Sequence, residues 1–102
     1  MDIISSLEAN FKTLDLENPI RLTTDDFVLS LWRLGTEAFG PETIVRYEGH
    51  DNLDTRFPQA RFSFLVRTKK DGEWKPVMLV EAYGEYIKGG KIQLYEIGET
   101  SI

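Results

Sequence analysis

The chain has 102 residues, 41% of them hydrophobic and 12% aromatic, with 17 acidic and 12 basic side chains for a formal charge of −5 and no cysteine. These figures exclude a disulfide framework, a thiolate metal site and a cysteine nucleophile, and no apolar run approaches the ~20 residues of a membrane-spanning helix. The first residues lack the basic-then-apolar layout of a signal peptide, so the expectation is one soluble, cytoplasmic domain of 1–102 with a single core.

In chain order, Asp2 to Leu14 reads as a helix, with Ile3, Ile4, Leu7, Phe11 and Leu14 at helical spacing and Asp2 as its N-cap. Residues 15–22 hold Asn18-Pro19, a turn signal, and read as a connector. Thr23 and Asp26 resemble a capping box for a second helix over 24–39. Its apolar stripe runs through Phe27, Val28, Leu31, Trp32, Leu34, Ala38 and Phe39, before Gly40-Pro41 stops it.

From Glu42 the hydrophobic period becomes two. Thr43–Glu48 is a short strand and 49–58 a long polar loop. In Arg61–Thr68, Phe62, Phe64 and Val66 alternate with Arg61, Ser63, Leu65 and Arg67. Asp71-Gly72 marks a tight hairpin turn. A strand over 74–87 follows, then a Lys88-Gly89-Gly90 turn and a final strand over 91–97. Two helices followed by four strands joined by tight turns predict an α+β domain: a curved four-stranded antiparallel meander packed on the long second helix. Its inner face collects Phe62, Phe64, Val66, Met78, Val80, Ala82, Tyr86, Ile92 and Leu94, with Gly84 marking a bulge or bend.

The opposite face collects Arg61, Ser63, Leu65, Arg67, Glu81, Tyr83, Glu85, Gln93, Tyr95 and Ile97. It reads either as a wet face laced by cross-strand Arg–Glu pairs or as an interface, because aromatics mixed with arginine are enriched there. Residues 1–54 carry 11 acidic groups against four basic, and residues 55–102 six against eight. The acidic half is a solvated surface, a face for a basic partner or a nucleic-acid mimic. Direct nucleic-acid binding requires clustered Lys/Arg, and Lys69-Lys70 is the only adjacent basic pair.

Signs of chemistry are sparse. His50, the only histidine, could join Asp51 and Asp54 in a small metal site, but those residues lack the calcium-loop rhythm and suit turn hydrogen bonds equally well. No Gly-x-Ser-x-Gly elbow marks a nucleophile, and Gly89-Gly90-Lys91 is not a phosphate loop. Glu81 and Glu85, with Tyr83 between them, could move protons in a dry pocket. Trp32 is expected in the core, and Trp74 either caps the core or stands out as a binding anchor. No cofactor or metal is expected.

The run Val80 to Tyr95, through Gly89-Gly90-Lys91-Ile92, resembles the closing hairpin of nuclear-transport-factor-2-like proteins, the likeness extending over Arg61–Tyr95. That resemblance implies helices packed into a strongly bent sheet, in a family of isomerases, hydratases, ligand-binding proteins and dimeric adaptors. No family catalytic residue carries over by motif. Cystatin-like rolls share the element order.

Two functional expectations follow. One is a non-enzymatic protein-interaction module, as in inhibitors, immunity-type proteins and accessory proteins of phages or bacteria. It would self-associate as a homodimer through Arg61, Leu65, Arg67, Glu81, Tyr83, Glu85 and Tyr95, with no nucleic acid or membrane as partner. The other is a small apolar-ligand-binding protein or an isomerase/hydratase-type enzyme, with a cone-shaped pocket between helix 24–39 and the sheet lined by Trp32, Tyr47 and Tyr86, and with Asp54, Glu81 or His50 as acid or base.

Overall fold

The computed structural model describes residues 2–17, 21–22, 25–54 and 59–102. It is an α+β fold of two helices and a curled antiparallel sheet, with principal extents of 45 × 24 × 22 Å. Among the described residues no helix is long and apolar enough to cross a membrane.

Helix α1 spans Ile3–Asn10. Asp2 caps it: its carboxylate accepts hydrogen bonds from the Ile4 amide at 3.1 Å and the Ser5 hydroxyl at 2.8 Å. The helix stops at Phe11, which turns to extended backbone, four residues before the expected end. Leu14 is instead the buried residue of strand β1, Thr13–Glu17, and meets Ile92 across the sheet. Thr-Leu-Asp-Leu-Glu alternates at period two, so Leu14 satisfies both a helical stripe and a strand. The free edge of the last strand decides in favour of the strand. The expected connector thus contributes β1 and the two-residue strand β2, Arg21–Leu22, which pairs with β1. The Asn18-Pro19 turn and Thr23 of the capping box lie outside the described residues.

Helix α2, Asp25–Phe39, lies on the sheet through the fully buried Phe27 and Leu31. Gly35 allows close approach: a Cβ there would sit 3.3 Å from Thr43 Cγ2 and 3.4 Å from Val66 Cγ1. Gly40 ends the helix at φ 111°, its amide donating to the Thr36 carbonyl.

Strands β3 (Thr43–Asp54), β4 (Gln59–Lys70), β5 (Glu73–Ile87) and β6 (Lys91–Ser101) form the expected meander. The sheet has one strand more at its β6 edge, giving the order β1-β6-β5-β4-β3 with β2 added outside β1. The β4–β5 turn places Asp71 at φ 53° and Gly72 at φ 81°, the paired positive values of a type I′ hairpin. Strand β3 is twice its expected length, because His50, Asp51 and Asn52 pair with Phe62, Arg61 and Ala60 rather than forming a loop.

The core lies between the helices and the inner face. Phe27 of α2 packs on Phe64 of β4 at 4.7 Å between ring centroids, and Phe11 meets Phe27 edge-on at 5.1 Å. Phe62, Phe64, Val66, Val80, Ala82 and Ile92 are fully buried with them. Register slips at Tyr47/Gly49, Val66/Arg67 and Tyr83/Gly84 bend the sheet. At Gly84 the approach is close: a Cβ would lie 2.4 Å from Ile92 Cγ2 and 2.6 Å from the Gln93 carbonyl oxygen. Tyr95 is the additional residue of that bulge, since Leu94 pairs with Gly84 and Glu96 with Tyr83. The slip inverts the following residues, so Ile97, expected on the outer face, pairs with Ala82 and is 4% exposed.

Candidate functional site

Both helices pack on the inner face, which leaves the outer face of β3–β6 uncovered among the described residues. Alternation and register assign its occupants. Arg61, Ser63, Leu65 and Arg67 project from β4; Leu79, Glu81, Tyr83 and Glu85 from β5; Gln93 and Glu96 from β6. Leu65 and Leu79 are direct cross-strand partners, with Ile44 opposite Arg67 on the neighbouring strand. All four are half-buried. An aliphatic patch therefore lies beside Arg67, with the charged Arg61, Glu81 and Glu85 toward the other end.

Toward one end, Arg61 links three strands. Its Nη2 donates to Asp51 Oδ2 of β3 at 2.7 Å, and its Nε lies 3.4 Å from Glu81 Oε2 of β5, an ion pair without hydrogen-bond alignment. The hydrogen bond to Asp51 raises the guanidinium pKa, opposed by desolvation and supported by the charges of Asp51 and Glu81 and by Tyr83. Tyr83 stands beside Tyr95, ring centroids 6.5 Å apart, and Tyr95 is 54% exposed.

Arg67 occupies the other end. It faces Ile44 and Pro76 across the strands, and its Nε is buried with no hydrogen-bond partner. Buried donors are nearly always paired; the Nε of Arg61 is also without an aligned acceptor but lies beside Glu81, whereas that of Arg67 has neither hydrogen bond nor ion pair among the described residues. Glu85 lies opposite Gln59, eight residues along β4 from Arg67, or about 27 Å. The expected cross-strand Arg–Glu pairing is thus realised by Arg61 and Glu81, whereas Arg67 and Glu85 sit at opposite ends. Glu81 and Glu85 are four residues apart on one strand, about 13 Å, and Arg61 engages Glu81; this is not a carboxylate pair sharing a proton.

The residues expected to line an internal pocket separate into two groups. Trp32 is 40% exposed rather than core. It leans over the β3 edge and donates its indole N–H to the Thr43 carbonyl at 2.9 Å, a partner that the core does not offer. It borders an open groove of about 430 Å³ with Asp26, Val28, Leu29, Ile44 and Val45, a lining that includes neither Tyr47 nor Tyr86. Of the lining expected between helix 24–39 and the sheet, this groove holds Trp32 alone; Val28 and Leu29, on or next to the helix stripe, are indistinguishable in sequence from core.

Tyr47 and Tyr86 come together at the other end of the inner face. Tyr47 Oη is 3.2 Å from His50 Nδ1, and Tyr86 donates to Asn52 Oδ1 at 3.0 Å. Burial raises the pKa of both phenols, with the proximity of Tyr86 adding to the effect at Tyr47. His50 stacks on Phe62 on the inner face, while Asp51 turns to Arg61 on the outer one. The two residues therefore diverge and do not form the proposed metal site; the Asp54 side chain lies outside the described residues. Among the described residues no three His, Asp or Glu side chains converge. Trp74, at the β4–β5 hairpin, is 43% exposed.

No family model, curated protein or solved structure matches the chain. The resemblance of its closing hairpin to nuclear-transport-factor-2-like proteins therefore rests on residues 61–95 alone.

Proposed function

We propose that this protein is a non-catalytic interaction module of the accessory, inhibitor or immunity type, self-associating through the outer face of its sheet. The observation that carries this reading is the layout of that face: Arg67 with its unpaired Nε toward one end, the Leu65–Leu79 pair two residues from it, and Glu85 at the other end. A two-fold axis across the strands sets Arg67 of each protomer toward Glu85 of its partner, and a self-complementary patch of this kind is what an isologous dimer uses. The size is adequate. Strand β4 has 12 residues and four strands lie side by side, giving a face of roughly 750 Å², against the ~800 Å² that each partner contributes to a standard interface.

The test is a charge swap read by sedimentation equilibrium. Arg67→Glu and Glu85→Arg are each expected to weaken dimerisation at least tenfold, and the double variant to recover most of it. Tyr95→Ala should weaken it without rescue. An unchanged solution mass in both single variants rejects the sheet-face dimer.

A further inference from the structure

The groove beside Trp32 adjoins the open edge of the sheet, and the two features together specify a ligand. Among the described residues no strand lies beyond β3. The phase of its edge is set by two hydrogen bonds. The Glu42 carbonyl accepts from the Lys69 amide at 3.0 Å and so points toward β4, whereas the Thr43 carbonyl accepts from Trp32 and points away. Alternation then directs the N–H and C=O groups of Val45 and Tyr47 outward too, up to the bulge at Gly49. The groove adjoins the start of this stretch, between Ile44 and Val45 of β3 and Val28, Leu29 and Trp32 of α2. Leu29 and Trp32 are 43% and 40% exposed, and the hydrogen bond to Thr43 holds the indole in place before anything binds.

A row of outward backbone groups beside an apolar groove is the recognition geometry of strand addition. Main-chain hydrogen bonds supply affinity, and alternate side chains of the guest enter the groove. The charge around it selects the guest. Asp26 is the charged wall of the groove, and Glu42 and Glu48 lie on the approach to that strand and on the strand itself, all exposed, with Arg46 the basic residue of β3. Arg46 is itself 3.7 Å from Glu48.

We propose that the α2–β3 groove binds an extended segment of a partner protein in which apolar residues alternate with lysine or arginine, added to the sheet as a strand beyond β3. The groove shares only Ile44 with the outer face, and the outward groups of Val45 and Tyr47 belong to the β3 edge alone, so binding there is tested apart from the sheet-face dimer.

The probe is a capped seven-residue peptide alternating lysine and valine, added to the Trp74→Phe protein so that Trp32 is the only indole. Saturable change in Trp32 emission is expected, weakened tenfold or more when the peptide backbone is N-methylated. Raised salt and Asp26→Lys should each weaken it several-fold. Val45→Pro removes an outward N–H while leaving the β4 ladder intact, and is expected to abolish binding. Its far-ultraviolet spectrum checks the fold, and the N-methylated peptide tests the same bond without altering the protein. No saturable change with the lysine–valine peptide overturns the proposal, as does equal binding of a glutamate–valine peptide. Trp32 emission that depends on protein concentration and ignores the peptide would place a second copy of the chain in the groove, and overturns it equally.

Discussion

The two faces of this sheet are built from the same strands, one residue out of phase, and meet opposite fates. Phe62, Phe64 and Val66 are wholly buried beneath α2, while Arg61, Leu65 and Arg67 beside them carry no covering element among the described residues. The inner face is closed by packing within the chain, down to an aromatic cluster of Phe11, Phe27 and Phe64. The outer face keeps a half-buried Leu65–Leu79 pair and an arginine with an unpaired donor. A strand's period of two divides residues into two sets but does not say what covers each set.

The widest separation between the faces is expected from adjacent truncations. Phe64→Ala should cost about 3–5 kcal/mol in urea unfolding, the range for emptying a packed aromatic site. Leu65→Ala, measured at low protein concentration, should cost no more than about 1 kcal/mol. Similar losses at the two positions would break the comparison. A second contrast uses two glycines of the same hairpin. Gly84→Ala drives a Cβ into Ile92 and the Gln93 backbone, and should destabilise by about 1–3 kcal/mol. Gly98→Ala meets nothing within 4 Å and should change stability by less than about 0.5 kcal/mol.

The smallest effect concerns pH at the Tyr47–Tyr86 end. Burial, then the nearby Tyr86, raises the Tyr47 pKa in the fold. The folded state therefore holds the phenolic proton more tightly than the unfolded chain. Its stabilisation is complete below the ordinary tyrosine value of about 10 and declines as pH rises through the folded-state value. Tyr47→Phe should flatten this alkaline decline in urea midpoint; an identical decline in both proteins would assign it elsewhere.

Most of the inner face was legible because alternation and turn chemistry agree there. Asp71-Gly72 fixes the hairpin, and the Phe62–Phe64–Val66 row then has one orientation. Helix α2 announced itself by its stripe and by Gly40. Three features were not legible. Thr13–Glu17 fits a helix end as well as a strand, and only pairing with β6 distinguishes them. His50 to Asn52 looked like loop because polar residues on a bulged edge strand leave no apolar period. Simple alternation places Ile97 on the outer face, but the Tyr95 bulge resets the phase, an event that Gly84 signals without locating. For the candidate site, the residue types of the outer face were readable from alternation. The opposition of Arg67 and Glu85 required register, and the exposure of Trp32 required knowing that the β3 edge holds its indole.

The most direct measurement is an isotope-filtered NOE experiment on a mixture of labelled and unlabelled protein. A sheet-face dimer gives intermolecular contacts from the methyl groups of Leu65 and Leu79, with none from Val66 or Val80 beneath the sheet. Intermolecular contacts confined to the β3 edge, or none in a sample with the 11.7 kDa mass of a single chain, would contradict it.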